Sequence, residues 1–469
     1  MDRIETDYLV VGAGAVGMSF TDSLLGHSDA DVVLVDRRHG PGGHWHDAYP
    51  FVRLHIPSAI YGVESLRLGN DAVDDAGPNA GMYELASAAE ICAYFSAVLD
   101  EVMLPSGQVR FMGMHEYVAT GSARPRLVSR LTGETTEVTV RRKLVNATYL
   151  EGKVPSRHTP PFDVDPGVRL MPINGLVVLC EPASRFVVLG AGKTSIDACL
   201  WLLDHGVTPE RIQWVRPRDM WMFNRARLQP LDQVAASMEG VSLEVEALAA
   251  ATSVDDLFRR LEERGQLIRI DEQVDPSMFR CATVSEWELH RLRTIRDVVR
   301  LGHVRRIEPE NIVLEQGDVP TDGGTVHVDC TAEGVPTSAI RPVFEPGRIT
   351  IQPVEQCLPC FNAALIGYVE ASRDKDEEKN SLCPPNPYPS TALDWLRTFA
   401  GSMAADEAWN SQPDVREWVD HSRLHPMRGV ADKAGEPRMA RALERFAVNA
   451  ESALSSLHRL QAEAAALPR

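Results

Sequence analysis

Asp7-Tyr8-Leu9-Val10-Val11-Gly12-Ala13-Gly14-Ala15-Val16-Gly17 decides how this chain is read. An apolar run of strand length enters a glycine turn, and Met18, Phe20, Leu24 and Leu25 then recur at helical spacing. A second apolar run, Asp31-Val32-Val33-Leu34-Val35, ends on Asp36, 19 residues beyond Gly17. Strand, glycine turn, helix, strand and acid in this order make a dinucleotide-binding unit. Gly12 permits the tight turn, Gly14 lets backbone approach a pyrophosphate, and Gly17 lets helix pack closely on strand. Ala15 and Val16 open the helix, where unpaired N–H groups and the positive dipole end favour phosphate. Asp36 is placed to accept hydrogen bonds from ribose hydroxyls.

The plan occurs twice. Arg185-Phe186-Val187-Val188-Leu189-Gly190-Ala191-Gly192-Lys193-Thr194-Ser195 repeats the opening, and Ile196, Cys199, Leu200 and Leu203 continue it at helical spacing. Ser195 stands where the third glycine would be, and is small enough for the same packing. The next strand, from Ile212, ends in Arg216-Pro217-Arg218 instead of an acid. Arginine there suits a 2′-phosphate, so this site is expected to take NADPH in preference to NADH; the alternative is a solvated strand end. Each unit closes on a strand ending in small residues, Lys143 to Thr148 and Thr325 to Thr331. Short alternating segments (Val109 to Phe111, Arg126 to Val128, Val138 to Val140) with turns at Gly121-Ser122 and Thr132-Gly133 predict a β-meander in the first unit. Gly302 to Ile307 and Ile312 to Glu315 predict one in the second. Residues 83–103, 236–263 and 283–298 are expected to be mostly helical.

The fold class that follows is α/β: two Rossmann-like dinucleotide-binding domains, each with a β-meander insert, plus a C-terminal helical segment. The 469 residues divide into 1–170 (first nucleotide domain), 171–332 (second, with a helical insert), 333–389 (return to the first) and 390–469 (helices). The formal net charge of −18, spread along the chain, repels phosphate backbones and anionic lipid, so neither nucleic acid nor a membrane is an expected partner. The apolar runs are short, and the eight cysteines lack a disulfide-framework or metal-ligand spacing. The chain is expected to be cytoplasmic and to carry no metal.

Beyond Asp36 come Arg37, Arg38 and then Gly40-Pro41-Gly42-Gly43-His44-Trp45-His46-Asp47-Ala48-Tyr49-Pro50. With the first glycine turn, Gly42-Gly43-x-Trp45 and Tyr49-Pro50 resemble the FAD-binding part of flavin-containing monooxygenases and their Baeyer–Villiger relatives. The resemblance covers roughly residues 5–61 and 185–218 and implies two cofactors, FAD and NADP(H), with dioxygen and a small organic substrate as partners. It implies FAD contacts from Gly12, Gly14, Ala15, Val16, Gly17, Asp36, Arg37, Gly42, Gly43, Trp45, Val109 and Thr148. For NADPH it implies Gly190, Gly192, Lys193, Thr194, Ser195, Arg216 and Arg218. His44, Trp45, His46, Asp47, Arg53 and His55 are the expected catalytic groups around the flavin ring, with Leu54 to Tyr61 lining the reaction chamber. In that family NADPH reduces the flavin, which meets dioxygen to give a C4a-(hydro)peroxide. The family's F-x-G-x-x-x-H-x-x-x-Y/F hallmark does not occur between the two glycine turns of this chain.

Two other readings stand beside this one. The first is an NADPH-dependent flavin dehydrogenase or disulfide reductase using Cys357 and Cys360 of Cys357-Leu358-Pro359-Cys360. The second is a non-catalytic nucleotide-binding redox sensor. The cysteine pair is expected to be buried small residues. Arg348 to Pro353 is expected to be a strand returning to the first domain, and Arg373 to Lys379 with Pro384 to Pro389 an exposed loop and linker. Met439, Leu443, Phe446, Ala450, Ala453, Leu457 and Leu460 alternate steps of four and three. That helix is expected to dock on the body of the chain, with a homodimer seam as the alternative.

Overall fold

The computed structural model describes residues 2–119, 125–336 and 338–465, so the turn expected at Gly121-Ser122 lies outside the described residues. Strand β1 (Asp2–Val11) lies between β2 (Val32–Val35) and the long strand Thr135–Asn146, all parallel. The runs read separately at 138–140 and 143–148 therefore belong to one strand for all but its last two residues. Val109–Met112 extends the parallel sheet beyond β2 and is no part of the meander. The meander is His115–Val118, then Arg126–Ser129 antiparallel to it, and then the start of Thr135–Asn146 antiparallel to Arg126–Ser129. Arg348–Thr350 comes back to pair with Leu144–Asn146 on the far side. Alternation along the strands sets the two faces. Leu9, Val33 and Val35 meet Leu127 and Val138, while Val10, Val32 and Leu34 meet helix α1 (Ala15–Gly26) and the helix Pro359–Ser372.

The second sheet runs Asp297–Val299, β4 (Ile212–Val215), β3 (Arg185–Leu189), Thr325–Asp329, Arg169–Pro172, parallel throughout. Helix α2 (Lys193–Asp204) follows the turn after β3. Val304–Ile307, Asn311–Leu314 and Gly317–Pro320 form its antiparallel meander. The helix expected over 283–298 is confined to Glu286–Leu292, opened by a Ser285–Glu288 capping box. Residues on either side go to strands, Met278–Val284 and Asp297–Val299, because Val298 and Val299 find partners in Trp214 and Val215. The pairing partner overrides local propensity.

Helices α3 (Val234–Ala250) and α4 (Pro437–Ala465) pack against each other. Met439 and Ala442 meet Val234, Ala235 and Met238, and farther along Ala453, Leu457 and Leu460 meet Val245, Leu248 and Ala251. The apolar seam read from the sequence thus docks on its own chain. The charged run at 373–379 is not an exposed loop: Asp376–Leu382 is helical and Lys379 is 4% exposed. Lys379 Nζ donates to Glu370 at 2.6 Å, with Lys143 Nζ at 3.3 Å and the Tyr8 hydroxyl at 2.8 Å on the same carboxylate. Burial is tolerated because these donors share the charge. Nor is 384–389 a free linker, since Asn386 is buried and donates to the Thr398 carbonyl at 2.9 Å. Among the described residues no helix is long and apolar enough to cross a membrane.

Candidate functional site

The two nucleotide units share the same hydrogen bonds at their turns and exits. Gly12 (φ +104°) donates its N–H to the Val35 carbonyl at 2.8 Å, and Gly190 (φ +129°) to Val215 at 3.0 Å. At the exits, Asn146 Oδ1 accepts the Thr148 N–H and hydroxyl (3.0 and 2.9 Å), and Asp329 Oδ1 accepts those of Thr331 (2.9 and 2.6 Å). A side chain on Gly17 would collide with the Gly12 carbonyl oxygen. Ser195 is accommodated in the second unit, its hydroxyl donating to the Gly192 carbonyl at 2.7 Å. Both helices start at a glycine without a side-chain cap, Gly14 and Gly192, so first-turn N–H groups at Ala15, Val16, Lys193 and Thr194 face outward for an anion. These residues fit dinucleotide phosphates.

The first turn is closed by its own surroundings. Gly42 (φ +122°) donates to the Ala13 carbonyl at 2.8 Å, and the Gly43 α-carbon lies against Gly14. Asp36, 6% exposed, accepts the Ala13 N–H on one oxygen and the Arg38 N–H on the other, each at 2.8 Å. Each oxygen keeps a lone pair for a ribose hydroxyl. Arg37 is ion-paired with Glu151, and Thr148 stands over Gly12. Val109 corrects an expectation: it pairs with Val32 at the start of its strand, whereas the glycine turn follows the other end, beyond Val11 and Val35. It is core, because ligands of parallel sheets gather at the carboxyl ends of the strands.

At the second turn the two arginines separate. Arg216 is 2% exposed, paired with Asp219 at 3.0 Å and lying over the Trp214 ring. Arg218 is exposed and lines the cavity described next. Lys193 is ion-paired with Asp197, whose other oxygen accepts the Tyr49 hydroxyl at 2.5 Å.

One cavity of about 1570 Å³ joins Gly190 to Thr194, Pro217 and Arg218 to His44, Trp45, Leu54, His55, Ile56 and Tyr61, then runs on to the C-terminal helices. A single ligand site is usually about 300–1,000 Å³, so this space admits a nucleotide tail and a second molecule together. Gly12, Gly14 and Asp36 do not line it. Trp45 Nε1 donates to the Tyr61 hydroxyl at 2.8 Å, an aromatic wall beside the Gly42-Gly43 turn. His44 lies next to Trp45, exposed where it lines the cavity, and the protein mass around that cavity, more than nearby Arg38, shifts its pKa downward. Burial, with Lys193 and Arg225 near, brings His55 down to about 3. Both imidazoles are neutral at pH 7 and act as hydrogen-bonding groups, not as cations.

The other expected catalytic residues lie elsewhere. His46 turns its Nε2 to the Pro41 carbonyl at 2.8 Å. Asp47 is held by Arg38 (3.0 and 2.7 Å) and by Arg157 at 2.8 Å, and it does not line the cavity. Arg53 is exposed and donates to the Leu85 carbonyl at 2.8 Å. Cys360 is a buried free thiol, while Cys357 is disulfide-linked to Cys281, with α-carbons 6.4 Å apart, and both halves of that disulfide line the cavity. The expectation of two buried small residues holds for Cys360 but not for half-buried Cys357, and the alternative Cys357/Cys360 couple gives way to a partner 76 residues away in sequence. Sequence reasoning also missed Tyr388, Glu244 and Glu355 on the cavity wall. No local pattern marks them, since each reaches the cavity through a different segment.

Residues 10–60 match the NAD(P)-binding Rossmann-like domain family. Over 97% of this chain and 90% of its own, the polycyclic ketone monooxygenase from the thermophilic fungus Thermothelomyces thermophila is similar in structure, with a TM-score of 0.54 at 13% identity. The uncharacterized protein Rv2000 of Mycobacterium tuberculosis (strain ATCC 25618 / H37Rv) is 49% identical over 423 residues, 90% of this chain and 78% of the relative. The uncharacterized protein Mb2023 of Mycobacterium bovis matches with the same figures. The chain belongs to the family of these mycobacterial proteins, built on the Rossmann-like fold seen in the fungal monooxygenase.

Proposed function

We propose that the protein is an FAD- and NADPH-dependent oxidoreductase that inserts oxygen from dioxygen into a small organic substrate. The observation that carries this reading is the single cavity joining the second glycine turn to the Trp45–Tyr61 wall beside the first. Two nucleotides held at those turns would bring their reactive ends into one chamber. When bound, the flavin supplies hydride acceptance from NADPH and the reduction of dioxygen. The chain's own residues bind, orient and exclude water. The amides at Gly14 to Gly17 and Gly192 to Thr194 would hold the pyrophosphates, and Arg218, exposed on the cavity wall, would meet a 2′-phosphate. Trp45, Leu54, Ile56 and Tyr61 give the chamber an apolar lining, and neutral His44 and His55 offer hydrogen bonds without adding charge.

The purified protein is expected to be yellow and to release FAD, not FMN, on denaturation. Mixing the NADPH-reduced protein with oxygen is expected to give a transient near-ultraviolet absorbance before the oxidised spectrum returns. Single-phase reoxidation with stoichiometric hydrogen peroxide, in the presence of NADP and a substrate panel, would sink the monooxygenase reading. A second reading, NADPH-dependent disulfide reduction, is favoured by the Cys281–Cys357 pair on the cavity wall. In that case the disulfide would take up the two electrons and the proton of the NADPH hydride together with one proton from solvent, giving two thiols, and titration would find two extra thiols after anaerobic NADPH addition.

A further inference from the structure

The cavity extends beyond the residues assigned to the nucleotides into an apolar pocket walled by Met238, Val241 and Val245 of α3 and by Leu443 and Phe446 of α4. Glu244 is part of this wall. One of its oxygens accepts a single hydrogen bond, from Gln266 Nε2 at 3.0 Å. The other has no protein partner among the described residues and is not sealed from the cavity. Gln266 is 3% exposed and its own Oε1 is buried without a partner, so the pair forms a polar island that the protein leaves incomplete.

The neighbouring acids on α3 are treated differently. Glu239 is paired with Arg227 and Arg438, and Glu246 with Arg264 and Arg445. Among the described residues neither arginine nor lysine comes within ion-pair distance of Glu244. Burial, unopposed by any cation, pushes its carboxyl up to about 7. A carboxyl with one oxygen held and the other open to the cavity has a free acceptor site that a ligand can use in place of water or a proton. A ligand that does so carries a donor, best a cationic one, on an apolar body that fills the rest of the pocket. The net charge of −18 also draws cations toward the chain and repels anions.

We propose that Glu244 anchors the substrate and that the chamber selects amines with an apolar body. This rests on the oxidoreductase reading for the fate of the amine, but not for its binding. The test is calorimetric titration of the full-length flavoprotein with hexylamine, 1-hexanol and hexanoate at pH 8. Hexylamine is expected to bind at least about tenfold more tightly than 1-hexanol, and hexanoate most weakly. Glu244→Gln is expected to lower hexylamine affinity to the 1-hexanol level, while Glu244→Asp keeps the amine preference. Glu246→Gln, on the same helix, is expected to bind all three probes as the wild type does.

Equal hexylamine affinity in the wild type and Glu244→Gln overturns the proposal, as does a wild type with no preference for the amine. Should Glu244→Gln fail to fold, the wild type's thermal shift decides: hexylamine, and not 1-hexanol, is expected to raise its melting temperature. Glu244-dependent amine binding without NADPH consumption would overturn the oxidoreductase reading alone. NADPH-driven oxidation of substrates irrespective of Glu244 would overturn the anchor alone.

Discussion

Arg216 and Arg218 both follow the second strand of the second nucleotide unit, and the tertiary structure gives them different surroundings. Removing Arg218 takes away the one of this pair that lines the cavity. A charge-assisted phosphate contact contributes about 1.5–3 kcal/mol, so Arg218→Ala is expected to weaken NADPH by roughly ten- to a hundredfold and NADH little. Arg216 answers differently because its partner is not orphaned by its loss. Asp219 also accepts Arg300 at 2.8 and 3.4 Å, so a buried unpaired carboxylate, which would cost about 3–5 kcal/mol, does not arise. Arg216 itself has two buried nitrogens, Nε and Nη1, without partners, and burial lowers its pKa. Arg216→Met fills a similar volume over Trp214 and is expected to cost only about 1 kcal/mol of stability, with NADPH selectivity retained. Fluorescence titrations with both cofactors, together with urea denaturation of each variant, measure these quantities. Equal losses for NADPH and NADH in Arg218→Ala, or loss of selectivity in Arg216→Met alone, would refute the assignment.

Three further outcomes are expected. Gly17→Ala drives a methyl into the Gly12 carbonyl oxygen and should abolish flavin retention at a cost above about 2 kcal/mol, whereas Gly26→Ala meets open space in the same helix and should be neutral or stabilising by up to about 1 kcal/mol; flavin content and melting temperature separate them. Thiol titration of the unreduced, denatured protein should find six free cysteines and Cys281→Ser seven, whereas eight in the wild type would show that the Cys281–Cys357 link does not form. His55 has a folded pKa of about 3 against an ordinary 6.5, so the folded state binds fewer protons and stability is present in full above pH 6.5 and lost as pH falls toward 3. Urea denaturation at pH 7.5 and 5 should show this loss, and it should be smaller in His55→Asn.

Much of the fold was legible in the sequence because it is written locally. Gly12, Gly14 and Gly17 are needed by backbone close approach, and the same need recurs at Gly190 and Gly192, so a single pattern announces both sheets. The apolar steps from Met439 to Leu460 likewise show a buried helix face, although only the packing against Val234 to Ala251 says what covers it. The site was legible only where it is built from those turns. His44, Trp45 and His55 reach the cavity, but His46 and Asp47, one and two residues beyond Trp45, are spent on the Pro41 carbonyl and on Arg38 and Arg157. Adjacent residues in a short helical turn point in different directions, and which of them meets the ligand depends on the surfaces brought against the turn. Val109, Cys357 and Lys379 were misplaced for the same reason. Strand register puts Val109 at the wrong end of its sheet, Cys357 finds Cys281 across 76 residues, and Glu370 pulls Lys379 inside. Burial and partnership are properties of distant segments in contact. Local sequence determined the two nucleotide turns; long-range packing alone decided what faces the space between them.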